Sequence, residues 1–170
     1  YRDLRLRAME TALSVTISSG VAAVPTSPAF LDLKFAYVNT SPVQSLDMVP
    51  PDQIYAKYPV RSGAAEIPQL IAVEGSNFIF GPYPGDYTVK GIYYAKLAPL
   101  ATTTNETNWF TTYATDALLY GSLMEAESFL VGDERIPVWK MGFEYALRSI
   151  EKHERRGRYG SGGSIAQRAG

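Results

Sequence analysis

The sequence predicts an α+β fold in which an antiparallel β region made of hairpins packs with a long antiparallel helical hairpin near the C-terminus, followed by a flexible tail. Apolar residues alternate with polar ones through the first half of the chain, which is the period of half-buried strands. From residue 108 they recur at three- and four-residue steps, the period of amphipathic helices. From residue 157 the chain turns to Gly, Ser and Arg with scarcely any apolar residue, a composition typical of a tail.

Residues 1–10 are predicted to be the last turns of a helix, and because the sequence opens on Tyr1 instead of Met, we expect a further segment upstream. Residues 11–98 are predicted to be mainly β with one short helix. The strands are expected over residues 13–17, 30–38, 43–49, 69–74, 77–80 and 87–97.

The connections between these strands follow from Gly and Pro. Gly20 permits a turn after the first strand, and Pro25 and Pro28 favour an extended run over residues 21–28. The two residues Gly75 and Ser76 predict a tight hairpin turn. The short helix is expected over residues 53–58, between prolines that begin and end it.

Residues 108–154 are predicted to form the helical hairpin. The first helix is expected to run from Asn108 through Leu130, and the second to start at an Asp133 N-cap with Glu134 in its first turn. One apolar stripe of the second helix consists of Ile136, Trp139, Phe143, Ala146, Leu147 and Ile150. Because the connection is short, the helices should be antiparallel. We therefore expect a single domain over residues 1–156 and a tail over residues 157–170.

Composition excludes several classes of protein. The chain has 170 residues, 46% of them hydrophobic, a net charge of -1 and no Cys. It is long enough to bury a core without disulfides, and thiolate zinc sites are excluded. No run approaches the roughly 18 apolar residues that a membrane span needs, so we expect no membrane partner. The near-neutral charge provides no general attraction to nucleic acid.

Chemistry-bearing motifs are few. The single histidine, His153, lies in a charged stretch and not in an obvious cleft, and the carboxylates Glu125 and Glu127 point to different faces of a helix. The Gly-rich stretch 160–164 lacks the Lys of a phosphate loop. We therefore predict no catalytic residue, no cofactor, no metal and no enzymatic activity.

The aromatic strands leave one alternative open. Phe78, Phe80, Tyr93 and Tyr94 could form a platform on which single-stranded nucleic acid stacks. Because Lys90 and Lys96 are the nearby cations, the electrostatic part of such a platform is weak, and a core or subunit-interface role is favoured.

The strongest functional signal is a basic cluster at the end of the second helix, made of Lys152, Arg155, Arg156 and Arg158 and followed by Tyr159. Cations at a helix C-terminus complement the helix dipole, which accounts for part of it. The cluster followed by a tail favours docking onto a partner.

These elements and several motifs together resemble the head-tail adaptor (connector) family of tailed phages. The motifs cover nearly the whole chain: residues 5–10 (RLRAME), 30–33 (FLDL), 46–58 with Tyr55 and Tyr58, 86–88 (DYT), 93–96 (YYAK), 107–110 (TNWF), 119–126 (LYGSLMEA), 133–135 (DER) with Trp139, and 155–159 (RRGRY). Members of the family usually begin with additional helices that this sequence lacks.

The resemblance implies a virion protein of the neck, assembled in the host cytoplasm, that forms a homo-oligomeric ring of about a dozen copies, a dodecamer. It implies a portal protein above, a downstream tail or nozzle protein below, and double-stranded DNA that passes through the channel without specific binding during genome ejection. It implies that Lys152, Arg155, Arg156, Arg158 and Tyr159 contact the portal, with Trp139 and Tyr120 as core anchors. Other tail-completion or tail-tube components and a small nucleic-acid-binding module are the alternatives.

Overall fold

In a computed structural model of the protein, the residues described are 4–26, 29–60, 62, 65–101, 103–126 and 133–159. The chain divides into two compact units, Tyr1–Lys96 and Leu97–Gly170, and each is described by itself. The single domain predicted over residues 1–156 stays a prediction.

The first unit is a seven-stranded sheet. Its strands are β1 (Glu10–Thr16), β2 (Val21–Ala23), β3 (Phe30–Val38), β4 (Gln44–Met48), β5 (Leu70–Glu74), β6 (Asn77–Gly81) and β7 (Thr88–Ala95). They lie in the order β1-β7-β3-β4-β5-β6-β2. Every pair is antiparallel except β4 and β5, which are parallel and are separated in sequence by the helix α1 (Pro51–Lys57).

The sheet curls around one apolar core. All seven strands contribute buried side chains to a single cluster, in which Phe78, Phe80 and Tyr93 are the largest. The two edge strands, β1 and β2, are consecutive in sequence and are joined by a bridge between Ser18 and Val21. On the outer side of β5 and β6, α1 packs Ile54 in a second, smaller apolar cluster.

The predicted turns are confirmed by the backbone. Glu74 pairs with Asn77, so Gly75 and Ser76 form the two-residue hairpin, and Gly75 has a φ of +59°. Gly20 has a φ of +79° in the turn that joins β1 to β2. Both positions require the left-handed region of φ that glycine occupies at little cost.

Two parts of the first unit differ from the prediction. A helix is expected over residues 1–10, but the described residues 4–10 contain only a single 3-10 turn, Arg7–Met9, preceded by extended backbone at Leu6. The buried side chains of Leu6 and Met9 are three residues apart, a spacing that one 3-10 turn satisfies. The segment predicted only as extended contains β2, which pairs with β6.

The second unit contains three helices, α2 (Trp109–Tyr113), α3 (Thr115–Glu125) and α4 (Ile136–Tyr159). Asn108 caps α2 in a capping box with Thr111. The prediction of one continuous helix through Leu130 is wrong, because the helix is interrupted at Ala114, whose φ is -144°. The hydroxyl of Thr115 donates to the carbonyl of Thr111 beside the break, a local contact that competes with helical hydrogen bonds. Residues 127–132 lie outside the described part.

The end of the hairpin also differs from the prediction. The helix α4 continues through Tyr159, three residues past the expected boundary of the tail. Residues 160–170 lie outside the described residues. The predicted α+β class, with a β region followed by a helical hairpin, is confirmed.

Candidate partner-binding surface

A charged turn begins α4. The backbone N–H of Arg135 donates to Asp133 Oδ1 at 2.9 Å, and its guanidinium donates to both carboxylate oxygens, with Nη2 2.7 Å from Oδ2. These side-chain and backbone hydrogen bonds from Arg135 lower the pKa of Asp133 to about 2. The guanidinium also lies 5.3 Å from the centre of the Trp139 ring, within cation-π range. Arg135 therefore contacts both Asp133 of the turn and Trp139, the first buried side chain of α4.

The predicted N-cap is displaced by this turn. The helix begins at Ile136 and has no acidic residue in its first turn, so Glu134 lies before it. Asp133 instead forms an Asx turn with Arg135. Pro137 occupies the first helical turn, where its missing N–H is not needed.

The two long sides of α4 differ in exposure. The side packed in the unit carries Trp139, Ala146, Ile150 and Glu154, all buried. Helical geometry places a second row on the opposite side, and we call this row the outward face. Its exposed members are Val138, Met141, Tyr145, Arg148, Lys152, Arg155 and Arg156. From Val138 to Arg156 this face extends over roughly 27 Å.

The contacts between α3 and α4 show the relative direction of the two helices. A Cβ added at Gly142 would lie 2.8 Å from Cζ of Tyr120, so the Tyr120 ring sits directly on the α4 backbone. Asp116, earlier in the chain than Tyr120, lines a cleft with Ile150 and His153, which lie later than Gly142. The helices α3 and α4 are therefore antiparallel, as predicted.

The C-terminal half of the outward face is basic. Lys152, Arg155 and Arg156 are exposed and occupy positions i, i+3 and i+4 of one helix side, so the structure brings these three together. Within the described residues, none of the three forms a salt bridge. The position of Tyr159 lies two turns after Lys152 on the same side, whereas Arg158 lies about 120° away from it by helical spacing. We call these five residues the basic end.

The basic end has a buried carboxylate behind it. Glu154 is only 7% exposed and belongs to the packed side of α4. The acidic residue inside the run from Lys152 to Arg158 therefore belongs to the packed side, whereas Glu151, directly before the run, is exposed.

Sequence reasoning missed the N-terminal half of the outward face. Val138, Met141 and Tyr145 are 61%, 70% and 76% exposed, and we call them the apolar patch. Their i, i+3, i+7 spacing was visible in the sequence as a second apolar stripe. It was overlooked because the stripe through Trp139 accounts for the packing of the helix by itself.

The single histidine lies in a cleft, contrary to the prediction. His153 lines a cavity of about 180 Å³ together with Trp109, Tyr113, Asp116 and Ser149. Asp116 Oδ1 accepts the backbone N–H of Ala117. In the described part of the chain, no hydrogen bond joins His153 to Ser149 or Asp116, so this group lacks the contact between nucleophile and base that covalent catalysis requires.

The aromatic strands of the sheet are part of its core. Phe78 and Phe80 are fully buried, and Tyr93 and Tyr94 are 2% and 7% exposed. Phe30 packs edge-on against Phe78 and stacks on Tyr93, with ring centres 5.5 and 5.6 Å apart. Because a base could not reach these rings, they do not form the stacking platform of the nucleic-acid-binding alternative.

Among the residues that the structure describes, no three His, Cys, Asp or Glu side chains are grouped so that they could hold a metal ion. Among the helices described, none combines the length and the apolar character needed to cross a membrane.

Comparison with known proteins assigns the chain to a family. No curated protein matches it. The family model described as "SU10 adaptor protein" matches residues 1–168, almost the full length. This match agrees with the motif resemblance and covers both compact units. The chain therefore belongs to the SU10 adaptor protein family, a family of phage head-tail adaptors.

Proposed function

We propose that this protein is the subunit of a homo-oligomeric ring that attaches below the portal of a tailed phage and links it to the downstream tail or nozzle protein. The observation that carries the proposal is the family match over residues 1–168. The ring has about a dozen copies, lies in the neck of the virion and is assembled in the host cytoplasm. Its centre is a channel through which double-stranded DNA passes without specific binding. We assign it no enzymatic role.

We assign contact with the portal to the basic end. Lys152, Arg155 and Arg156 project from one side of a rigid helix, and such exposed cations suit an acidic groove between partner subunits. The position of Tyr159 at the last turn adds an aromatic anchor of the kind enriched in interfaces.

The proposal is tested by mixing the protein with purified portal and measuring co-sedimentation. Lys152→Glu/Arg156→Glu should weaken binding by about tenfold or more, because reversing charge in a complementary contact costs several kcal/mol. The matched control is Lys57→Glu/Lys96→Glu, which makes the same charge change at two exposed lysines of the first unit. Equal loss in both variants, or no loss in either, would exclude the basic end as the portal contact.

The tail-completion alternative predicts a different partner for the same assay. A protein that bound a purified tail terminator but never the portal would belong elsewhere in the particle. The adaptor proposal predicts portal binding by the wild-type chain.

A further inference from the structure

The apolar patch of α4 is unusual for a helix side that faces away from its own core. Its three side chains lie within two helical turns, and each is at least 61% exposed. The exposed cations Lys140 and Arg148 lie at its margins, and Arg148 Nη2 is 3.8 Å from a carboxylate oxygen of Glu144. Contiguous exposed apolar side chains with a charged rim are typical of protein interfaces.

A second exposed surface lies on α2 and α3. Tyr113 and Leu119 are 74% and 57% exposed, and the exposed Asp116 lies between them. From residue 109 to residue 125 the chain contains two carboxylates, Asp116 and Glu125, and no Lys or Arg. We call Tyr113, Asp116 and Leu119 the acidic surface. By contrast, α4 carries six Lys or Arg against three Glu.

The two surfaces do not cover each other within one copy. Tyr113 and Asp116 line a cleft with Ile150 and His153 of α4, whereas the apolar patch lies nearer the start of that helix. Tyr113, Leu119, Met141 and Tyr145 are each more than half exposed. Both surfaces are therefore left exposed in the described part of the unit.

We propose that the apolar patch of one copy packs against the acidic surface of the next copy. This inference rests on the proposed function, for which it supplies the contact between ring subunits. The occupant is a second copy of this chain because the two surfaces match in character. Each has exposed apolar side chains, one with Lys140 and Arg148 at its margins and the other with the carboxylate of Asp116. A contact between two different surfaces is heterologous, and its repetition forms a ring when the rotation between neighbouring copies closes. The basic end stays free for the portal.

The absence of Cys from the chain permits a specific cross-linking test. The variant Leu119→Cys/Met141→Cys, oxidised free in solution and on purified portal, should give a ladder of covalent oligomers. A mixture of the two single-Cys proteins should give a heterodimer and nothing longer, and neither single variant alone should cross-link. The control Val43→Cys/Val60→Cys uses two similarly exposed positions of the first unit and should give no ladder. The inference would be overturned if no ladder formed either free in solution or on purified portal, or if either single-Cys variant formed homodimers.

A charge-swap experiment supplies a second readout. Leu119→Arg places a cation opposite Lys140 and Arg148 of the neighbouring copy. Met141→Glu places a carboxylate opposite Asp116 of the neighbouring copy. Because like charges repel, each single variant should fail to form the ring. The double variant pairs the new charges and should recover it, as measured by light scattering with circular dichroism as the folding check. If both single variants still form complete rings, this interface is wrong and the proposed ring function stands. If the wild type forms rings that never occur at the neck of particles, the proposed function fails and the interface stands.

Discussion

Gly91 lies at a close approach between β3 and β7, the two longest strands of the sheet. It belongs to β7, which lies between β1 and β3, and it pairs with Leu13 of β1 and with Ala36 of β3. A Cβ added at this position would overlap the backbone carbonyl of Phe35 and lie 2.9 Å from the Cα of Ala36. The pairing of β3 with β7 is already irregular between Leu33 and Phe35. Because the obstacles are backbone atoms, no side-chain rotation can relieve the overlap.

Gly91→Ala should therefore force β3 and β7 apart. Overpacking costs about 1–3 kcal/mol, and each weakened ladder hydrogen bond adds about 1 kcal/mol. The lower chain entropy of Ala in the unfolded state offsets about 0.4–1 kcal/mol. We expect the free energy of unfolding to fall by about 2–4 kcal/mol.

The assay is urea unfolding followed by near-UV circular dichroism of the tyrosines, since both tryptophans, Trp109 and Trp139, belong to the second unit. The control is Gly75→Ala, at a hairpin turn where nothing lies within 4 Å of the added Cβ. Its positive φ alone should cost about 1–2 kcal/mol. A Gly91→Ala protein as stable as wild type, with the control destabilised, would refute the close approach of β3 and β7.

Three further predictions concern the helical unit. The hydrogen bonds from Arg135 lower the folded pKa of Asp133 to about 2, so this pair stabilises the start of α4 above the unfolded carboxyl pKa. The stabilisation is lost as the pH falls from about 4 to about 2. A carboxyl carbon NMR titration should show the lowered pKa of Asp133, and Arg135→Ala should return that pKa toward its ordinary value. Asn108→Ala removes a capping box and should cost about 1 kcal/mol, measured by far-UV circular dichroism in urea, with an unchanged midpoint contradicting the cap. Trp139→Ala removes a side chain only 8% exposed and should cost about 3–5 kcal/mol in the same assay, whereas a cost below 1 kcal/mol would mean that it is not a core anchor.

The local elements of the fold could largely be predicted from the sequence. Alternation identified β1 and β3, and the Gly75 turn fixed the register of β5 and β6, because strands and tight hairpins depend on residues close together in the chain. The stripe through Trp139 likewise predicted the packed side of α4. These are the features that periodicity encodes directly.

Features that depend on distant contacts could not be predicted. The parallel pairing of β4 with β5 arises because α1 carries the chain back to the same end of the sheet. The three-residue strand β2 is too short for a periodic pattern and exists through its pairing with β6. The break at Ala114 interrupts a sequence whose apolar spacing continues through it, so periodicity alone gave one helix where there are two.

The candidate surface was predicted only in part. The basic end was visible as a run of cations, and the structure adds that Lys152, Arg155 and Arg156 share one side while Glu154 is turned inward. The exposed apolar patch could not be distinguished from core by sequence, because an apolar stripe does not reveal what covers it. The structure shows which of the two stripes on α4 is buried.

Electron microscopy of the native particle tests the central claim most directly. The account predicts a closed ring of about a dozen copies between portal and tail, with the last turns of α4, around Lys152 and Arg156, against the portal. A chain found as a single copy, or in a part of the virion remote from the portal, would contradict it.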